Sequence, residues 1–258
     1  MSGAMNTPIL MYHSISEGEG PVCISPATFR RHLAMLADAG GYGISLSDYV
    51  ASLRGQRELR PGFCVLTFDD GYRDFAINVH PELARRGWSG TVFVPAGRTG
   101  LTNDWDPPGN ERRPLMDASE LRRLACQGGV EIGSHAITHR DLTAMPFDTA
   151  VCEIGDSRRM LEDMTGVEVR SFAPPYGSSS DVLRAEIARH YQCAAGTRLD
   201  YASGLKDLLD LPRIEMWYFR SPARCRAMIE HRGGWYFAAR RMLRWLRRHA
   251  VAPDSRGG

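Results

Sequence analysis

Residues 64–72 read CVLTFDDGY. The first five are apolar or β-branched, a run long enough for a strand and too short for a helix, and it stops at two adjacent carboxylates and a glycine. A strand that is apolar at successive positions is covered on both faces, as in parallel sheets flanked by helices. Two neighbouring carboxylates repel each other, and one is driven toward its neutral form unless a cation stands between them. The stretch therefore predicts a buried parallel strand whose C-terminal end carries acidic side chains in need of a partner, either a metal or a basic residue.

The same alternation extends along the chain. Short apolar runs at PILMYH (8–13), FCVLTF (63–68), GTVFVP (90–95), GVEIGSH (129–135), VRSFAPP (169–175), CAAG (193–196) and LPRIEM (211–216) read as strands. Helical patterns fall between them at 25–40, 72–87, 117–127, 147–164 and 179–191. The first opens on Ser25 as N-cap with Pro26 behind it and closes at Gly40. Strands alternating with helices predict an α/β fold with a parallel sheet. Without a glycine-rich dinucleotide fingerprint, the pattern favours a distorted (β/α) barrel of seven or eight parallel strands over a doubly wound sheet. A single domain is expected over 1–258, with a core over about 5–220 and a C-terminal extension over 221–258.

Composition narrows the function classes. With 43% hydrophobic and 24% charged residues the chain can build a sizeable core rather than remain disordered. A formal net charge of +2 gives no electrostatic case for nucleic acid. No apolar run reaches the roughly 18 residues that a membrane-spanning helix needs. The opening MSGAMNTPIL shows no basic segment followed by an apolar one, so the expectation is a cytoplasmic protein. Six scattered cysteines without a C-x-x-C pair suit reduced thiols in that compartment. Oligomeric state is not legible in the sequence.

Three stretches at expected strand ends carry chemistry. Asp69 and Asp70 stand where α/β sheets place their sites, and Gly71 lets the chain leave the strand sharply, so the two carboxylates need not point to opposite faces. In EIGSHAITHRDL (131–142), His135 and His139 are four apart, and one helical turn would put both imidazoles on one face. One aspartate with two histidines suits Zn²⁺ or a similar divalent ion and leaves coordination positions open. The alternative is a histidine pair on a plain solvated helix. In SFAPPYG (171–177) two prolines and a glycine fix the backbone and present Tyr176 at a rim, as a rigid turn or as a wall of a groove. The segment 95–114 is a long polar loop after a strand, fit either to carry substrate-binding elements or to lie as a disordered surface loop.

LTFDDGY, SHAITH and FAPPYG, in that order, resemble the first three motifs of the polysaccharide deacetylase family, the metal-dependent de-N-acetylases of chitin, peptidoglycan and exopolysaccharide. The resemblance covers about residues 5–220. It implies a distorted (β/α) barrel, Asp69 as general base, and Asp70, His135 and His139 as ligands of a divalent metal, Zn²⁺ first with Co, Ni, Mn or Fe as alternatives. It also implies an N-acetylated glycan as substrate and the Tyr176 backbone N–H as a donor to the developing oxyanion.

The chain departs from the family pattern twice. Many members carry an arginine where this chain has Ala173, which orients the base; a small residue there is similar to the branch acting on poly-N-acetylglucosamine exopolysaccharide. Arg213 in LPRIEM either supplies the missing guanidinium or is a surface cation. The late leucine-x-histidine motif that carries the general acid is not recognisable, and His190, His231 and His249 match it poorly. His13, ending the first expected strand in MYHSI, is better placed, and this opening is also similar to the exopolysaccharide branch, so His13 is the candidate acid. A lone histidine is otherwise a structural residue.

Two other readings stay open: an amide hydrolase of a small N-acyl metabolite, cyclic imide or formylated lipid-linked sugar, and a catalytically silent carbohydrate-binding barrel. Finally, 233–250 is basic and amphipathic, with Trp235, Ala239, Met242 and Leu246 on one stripe among Arg240, Arg241, Arg244, Arg247 and Arg248. Such a helix packs on its own barrel or makes peripheral contact with an anionic membrane.

Overall fold

The computed structural model describes residues 6–20, 22–107, 109–231, 234, 236–240 and 242–243. The strands are β1 (Ile9–Tyr12), β2 (Ser14–Ile15), β3 (Cys23–Ile24), β4 (Tyr42–Ile44), β5 (Phe63–Phe68), β6 (Gly90–Val94), β7 (Val130–Ser134), β8 (Ser171–Phe172), β9 (Cys193–Ala194) and β10 (Ile214–Glu215). The helices are α1 (Pro26–Asp38), α2 (Leu46–Leu53), α3 (His80–Arg86), α4 (Ala118–Gln127), α5 (Phe147–Thr165), α6 (Asp181–His190) and α7 (Pro222–Ile229).

The main sheet runs β10-β1-β5-β6-β7-β8-β9, every pairing parallel, with β4 also on β5. β5 is the hub because it is shared lengthwise: β4 pairs with its first half at 63–65 and β6 with its second at 67–68. The sheet curls until its ends meet. Ala195, just past β9, forms a parallel bridge with Leu211, on the approach to β10, and the Arg213 N–H donates to the Arg198 carbonyl at 2.9 Å. This is the distorted barrel expected.

Alternation along the strands separates two apolar layers. Leu10, Tyr12, Leu66, Phe68, Val92 and Val94 face the surrounding helices in the larger core. Ile9, Val65, Phe93, Ala173, Ala195 and Leu211 form the smaller cluster, which fills the barrel interior. Continuing that inner row of β5 upward gives Val65, Thr67 and then Asp69, so strand periodicity itself aims Asp69 into the mouth of the barrel.

The seven expected strands and five expected helical regions are present with small boundary changes. The stretch expected as one helix over 72–87 is a five-residue π-helical turn, Phe75–Val79, running into α3. Pro81 at the start of α3 lacks the N–H a continuous α-helix would use there. Five elements lie outside the sequence expectation: β4, α2, the two short strands β2 and β3, and α7, whose Cys225 and Met228 join the main core.

Of the C-terminal stripe, Trp235, Arg241, Arg244, Leu246, Arg247 and Arg248 lie outside the described residues. Ala239 and Met242 are exposed, while Phe237 is buried in the core with Tyr236 packed against it. Among the described residues no helix is long and apolar enough to cross a membrane. The six cysteines are free.

Candidate active site

The residues just past each strand remain tied to the neighbouring strand, which levels them on one rim. Asp69 N–H donates to the Tyr12 carbonyl at 2.9 Å, His135 N–H to Val94 at 2.9 Å, and Ala173 N–H to Ser134 at 2.9 Å. Three loops therefore converge at the C-terminal mouth of the barrel, the position expected for a (β/α) site.

At the end of β5 the backbone turns in left-handed conformation twice, at Asp70 (φ 73°) and Gly71 (φ 65°). Aspartate tolerates this region better than most side chains. A Cβ on Gly71 would lie 3.3 Å from both methyls of Val94, so the turn is both left-handed and close-packed. The double turn brings Asp70 to the same mouth as Asp69, although the two alternate in sequence.

Asp69 meets Arg213. The guanidinium donates through Nη1 to Oδ1 at 2.6 Å and through Nη2 to Oδ2 at 2.8 Å. Its Nε donates to the Gly196 carbonyl at 2.7 Å, and Nη1 lies 3.3 Å from Thr67 Oγ1. Arg213 is 1% exposed and stands over the Phe93 ring in the barrel interior. Of the two readings of this residue, the surface cation is excluded. Burial pushes the Asp69 carboxyl upward, but the guanidinium outweighs it and holds the carboxyl below its ordinary range.

Asp70 meets the histidines. Its Oδ1 lies 3.4 Å from His135 Nε2 and 3.0 Å from His139 Nε2, and one ligand atom from each of the three buried residues lies within 4.8 Å of the others. His135 Nδ1 is 2.6 Å from the Ala173 carbonyl, which can only accept, so Nδ1 carries a proton and Nε2 is the ring nitrogen turned toward Asp70. Buried carboxylate and imidazole donors converging in this way fit a divalent cation. Burial raises the Asp70 carboxyl, and the two imidazoles reverse this to leave it well below its ordinary range.

The two histidines do not share a helical turn. Residues 135–140 form an irregular loop with positive φ at Ala136 (62°) and His139 (60°). Glu153 on α5 holds it from beneath: its carboxylate accepts from Ile137 N–H at 2.7 Å, Thr138 N–H at 2.9 Å and Thr138 Oγ1 at 2.7 Å. Four-residue spacing brought the imidazoles together, but the means is a loop strained around a buried carboxylate.

Tyr176 also has positive φ (61°); it is 54% exposed, and its ring meets His139 edge-on with centroids 5.1 Å apart. The next residue, Gly177, is also left-handed, and a Cβ there would lie 2.2 Å from Thr197 Oγ1.

His13 follows β1 on the same rim. Its Nδ1 is 3.8 Å from Glu215 Oε2. Burial lowers its pKa, but Glu215, then Asp70 and Asp69, raise it above the ordinary value. Burial raises the Glu215 carboxyl. Asp74 secures the next two residues, accepting from Ser14 Oγ at 2.6 Å and Ile15 N–H at 2.9 Å.

Four residues of this neighbourhood escaped the sequence reading: Glu153, Glu215, Asp74 and Trp105. Trp105 lies in the 95–114 segment, whose indole stacks on His139 with centroids 4.0 Å apart and planes at 21°. A lone tryptophan in a polar loop was the available signal. The loop is a built wall of the site rather than a disordered surface excursion.

Comparison with known proteins agrees with the geometry. Residues 56–193 match the polysaccharide deacetylase family. A putative polysaccharide deacetylase of Bacillus subtilis, YxkH, is 29% identical over 212 residues, covering 81% of this chain and 71% of that protein. The fold is shared with a Streptococcus pyogenes deacetylase, PplD, solved with acetate (25% identity, TM-score 0.70, 81% of this chain and 91% of that one). It is also shared with IcaB from Ammonifex degensii (18% identity, TM-score 0.72, 86% of this chain and 97% of that one). A barrel mouth carrying the aspartate pair and both histidines, together with a family match over more than half of its length, shows that the chain belongs to the polysaccharide deacetylase family, hydrolases of amide bonds.

Proposed function

We propose that this protein is a metal-dependent de-N-acetylase that removes acetyl groups from an N-acetylated amino sugar within a glycan. The observation that carries the reading is the pairing of a base aspartate, clamped by Arg213, with a separate three-donor set one residue away. A divalent cation held by Asp70, His135 and His139, Zn²⁺ first by the chemistry of the donors, would supply Lewis-acid polarisation of the acetamide.

Around that centre the chain's own residues divide the work. Asp69 stays ionised against Arg213 and accepts the proton of the attacking water. The Tyr176 backbone N–H donates to the oxyanion that develops on the former carbonyl. His13, whose pKa the nearby Glu215 raises, gives its proton to the departing amine nitrogen. Arg213 takes the place of the arginine absent at Ala173, which removes the main argument for a silent carbohydrate-binding barrel. The small Ala173, the N-terminal His13 and this arginine exchange together support poly-N-acetylglucosamine as the substrate class.

The test couples metal analysis of the purified protein with acetate release from N-acetylglucosamine oligomers of increasing length and from sugar nucleotides. Asp69→Asn should keep the metal and lose about two to four orders of magnitude in rate, since an amide keeps the shape and cannot take the proton. Wild-type rates in that variant would overturn the reading. Loss of the metal would show that the two aspartates have exchanged roles.

A further inference from the structure

A metal-ligating histidine is ordinarily oriented by a hydrogen bond from its second ring nitrogen. His135 has one, to the Ala173 carbonyl. His139 has none: its Nδ1 is buried and finds no hydrogen-bond partner among the described residues. Its backbone is in the left-handed region, on the loop that Glu153 holds. Aromatic rings surround it instead, with the Trp105 indole flat against one face, and Tyr176 and His135 in edge contacts at 5.1 and 4.8 Å.

We propose that Trp105 is the positioning residue of His139, its stacked indole fixing the imidazole plane that a hydrogen bond fixes in His135. The inference rests on the metal reading of Asp70, His135 and His139. Two physical effects act in the same direction. Stacking at 4.0 Å removes the ring's freedom to rotate away from Asp70 Oδ1. An imidazole that donates its lone pair to a cation also becomes electron-poor, and the electron-rich face of an indole attracts such a ring more strongly than a neutral one.

The loop is built to hold that indole in place. Asn103, fully buried, is its lock. Its Oδ1 accepts from Arg113 N–H at 2.6 Å, and its Nδ2 donates to Asp106 Oδ2 at 2.6 Å and to the Glu111 carbonyl at 3.3 Å. Arg112 Nη1 donates to the Asn103 carbonyl at 2.6 Å and the Asp106 carbonyl at 3.1 Å. Arg98 pairs with Asp104. Trp105 is thus flanked on both sides by residues fixed through other contacts. Metal affinity, and not substrate binding alone, is then a property of this loop.

The experiment uses the full-length protein stripped of metal and titrated with Co²⁺ against a competing chelator, following the visible absorption of the bound ion. Trp105→Leu keeps apolar bulk and loses the π face; Trp105→Phe keeps a stackable ring. Trp105→Leu should weaken Co²⁺ binding about ten- to a hundred-fold, the range for loss of a partner that orients a metal ligand, and alter the Co²⁺ spectrum. Trp105→Phe should stay within a few-fold of wild type, and circular dichroism of both metal-free variants should match wild type. Wild-type Co²⁺ affinity in Trp105→Leu with a raised KM for the glycan would overturn the inference and leave Trp105 as a substrate wall. Loss of affinity in Trp105→Leu accompanied by a changed circular dichroism spectrum, with Trp105→Phe equally weak, would overturn it in favour of general loop packing. If His139→Ala bound Co²⁺ as tightly as wild type, the metal reading itself would fail, and the inference with it.

Discussion

Arg213→Met tests the clamp on Asp69, the proposed base, which is held from a distant strand. The methionine keeps most of the stem that lies in the barrel interior and removes the charge and all donors. Two charge-assisted hydrogen bonds to Asp69, at 2.6 and 2.8 Å, are lost together with the bond to the Gly196 carbonyl. At about 1.5–3 kcal/mol for each bond to a charged group, the pair represents about 3–6 kcal/mol. Breaking one side of a buried ion pair costs about 3–5 kcal/mol, the same size. Asp69 has a second option, which is to take up a proton.

That option fixes the sign of the pH effect. Arg213 holds the Asp69 pKa down, so without it the carboxyl protonates at higher pH. The acidic limb of the rate profile must then move to higher pH, while the metal, held by other residues, stays. The assay is acetate release across pH with metal content measured in parallel, and urea unfolding for the stability change. An acidic limb at its wild-type position in a folded, metal-loaded Arg213→Met variant would show that Arg213 does not keep Asp69 ionised. The companion Ala173→Arg in the wild-type background should not help: Ala173 is fully buried and its carbonyl orients His135, so a large side chain there disturbs the site.

Three further outcomes are expected. His13→Ala should slow substrates with a poorly leaving amine far more than activated esters, which need little protonation; equal losses on both would remove His13 from the acid role. Glu153→Gln keeps the shape but weakens three bonds to the 136–139 loop, so metal affinity should drop with little change in the rate of the loaded enzyme, checked by chelator competition. His32 is buried between the Tyr12 hydroxyl and the Phe219 carbonyl, and burial lowers its pKa from 6.5 to about 4. Below about pH 6.5 the unfolded chain binds a proton that the folded protein refuses, so stability falls by about 3 kcal/mol as pH drops to 4. His32→Gln should remove that component in denaturant titrations, and an unchanged pH slope would count against it.

The parallel barrel and the strand-end positions of Asp69, Asp70, His135 and His139 were legible in the amino-acid sequence. They depend on local patterns: apolar runs of strand length, and polar residues placed where the runs stop. The sequence also supplied His13 as a strand-end residue and Arg213 as one of two readings. Spacing did not reveal how the histidines converge, since positive φ at Ala136 and His139 depends on Glu153 on α5, beyond any local repeat. β4 and β2–β3 escaped because two or three residues carry no legible period.

Which side chains meet was set by the folded chain, which chose between the two readings of Arg213. Arg213 and Asp69 are 144 positions apart, and only the curl of the sheet, which carries β10 to β1 and β1 to β5, places the guanidinium below the carboxylate. Glu215 reaches His13 through the same closure. Trp105 reads in sequence as one aromatic in a polar loop, and the Asn103-centred bonds that turn it onto His139 bring together residues whose relation exists only once the chain is folded. The ends of strands are written locally, whereas the charges and rings that face one another across the barrel mouth are fixed by closure of the barrel, a property of the whole chain.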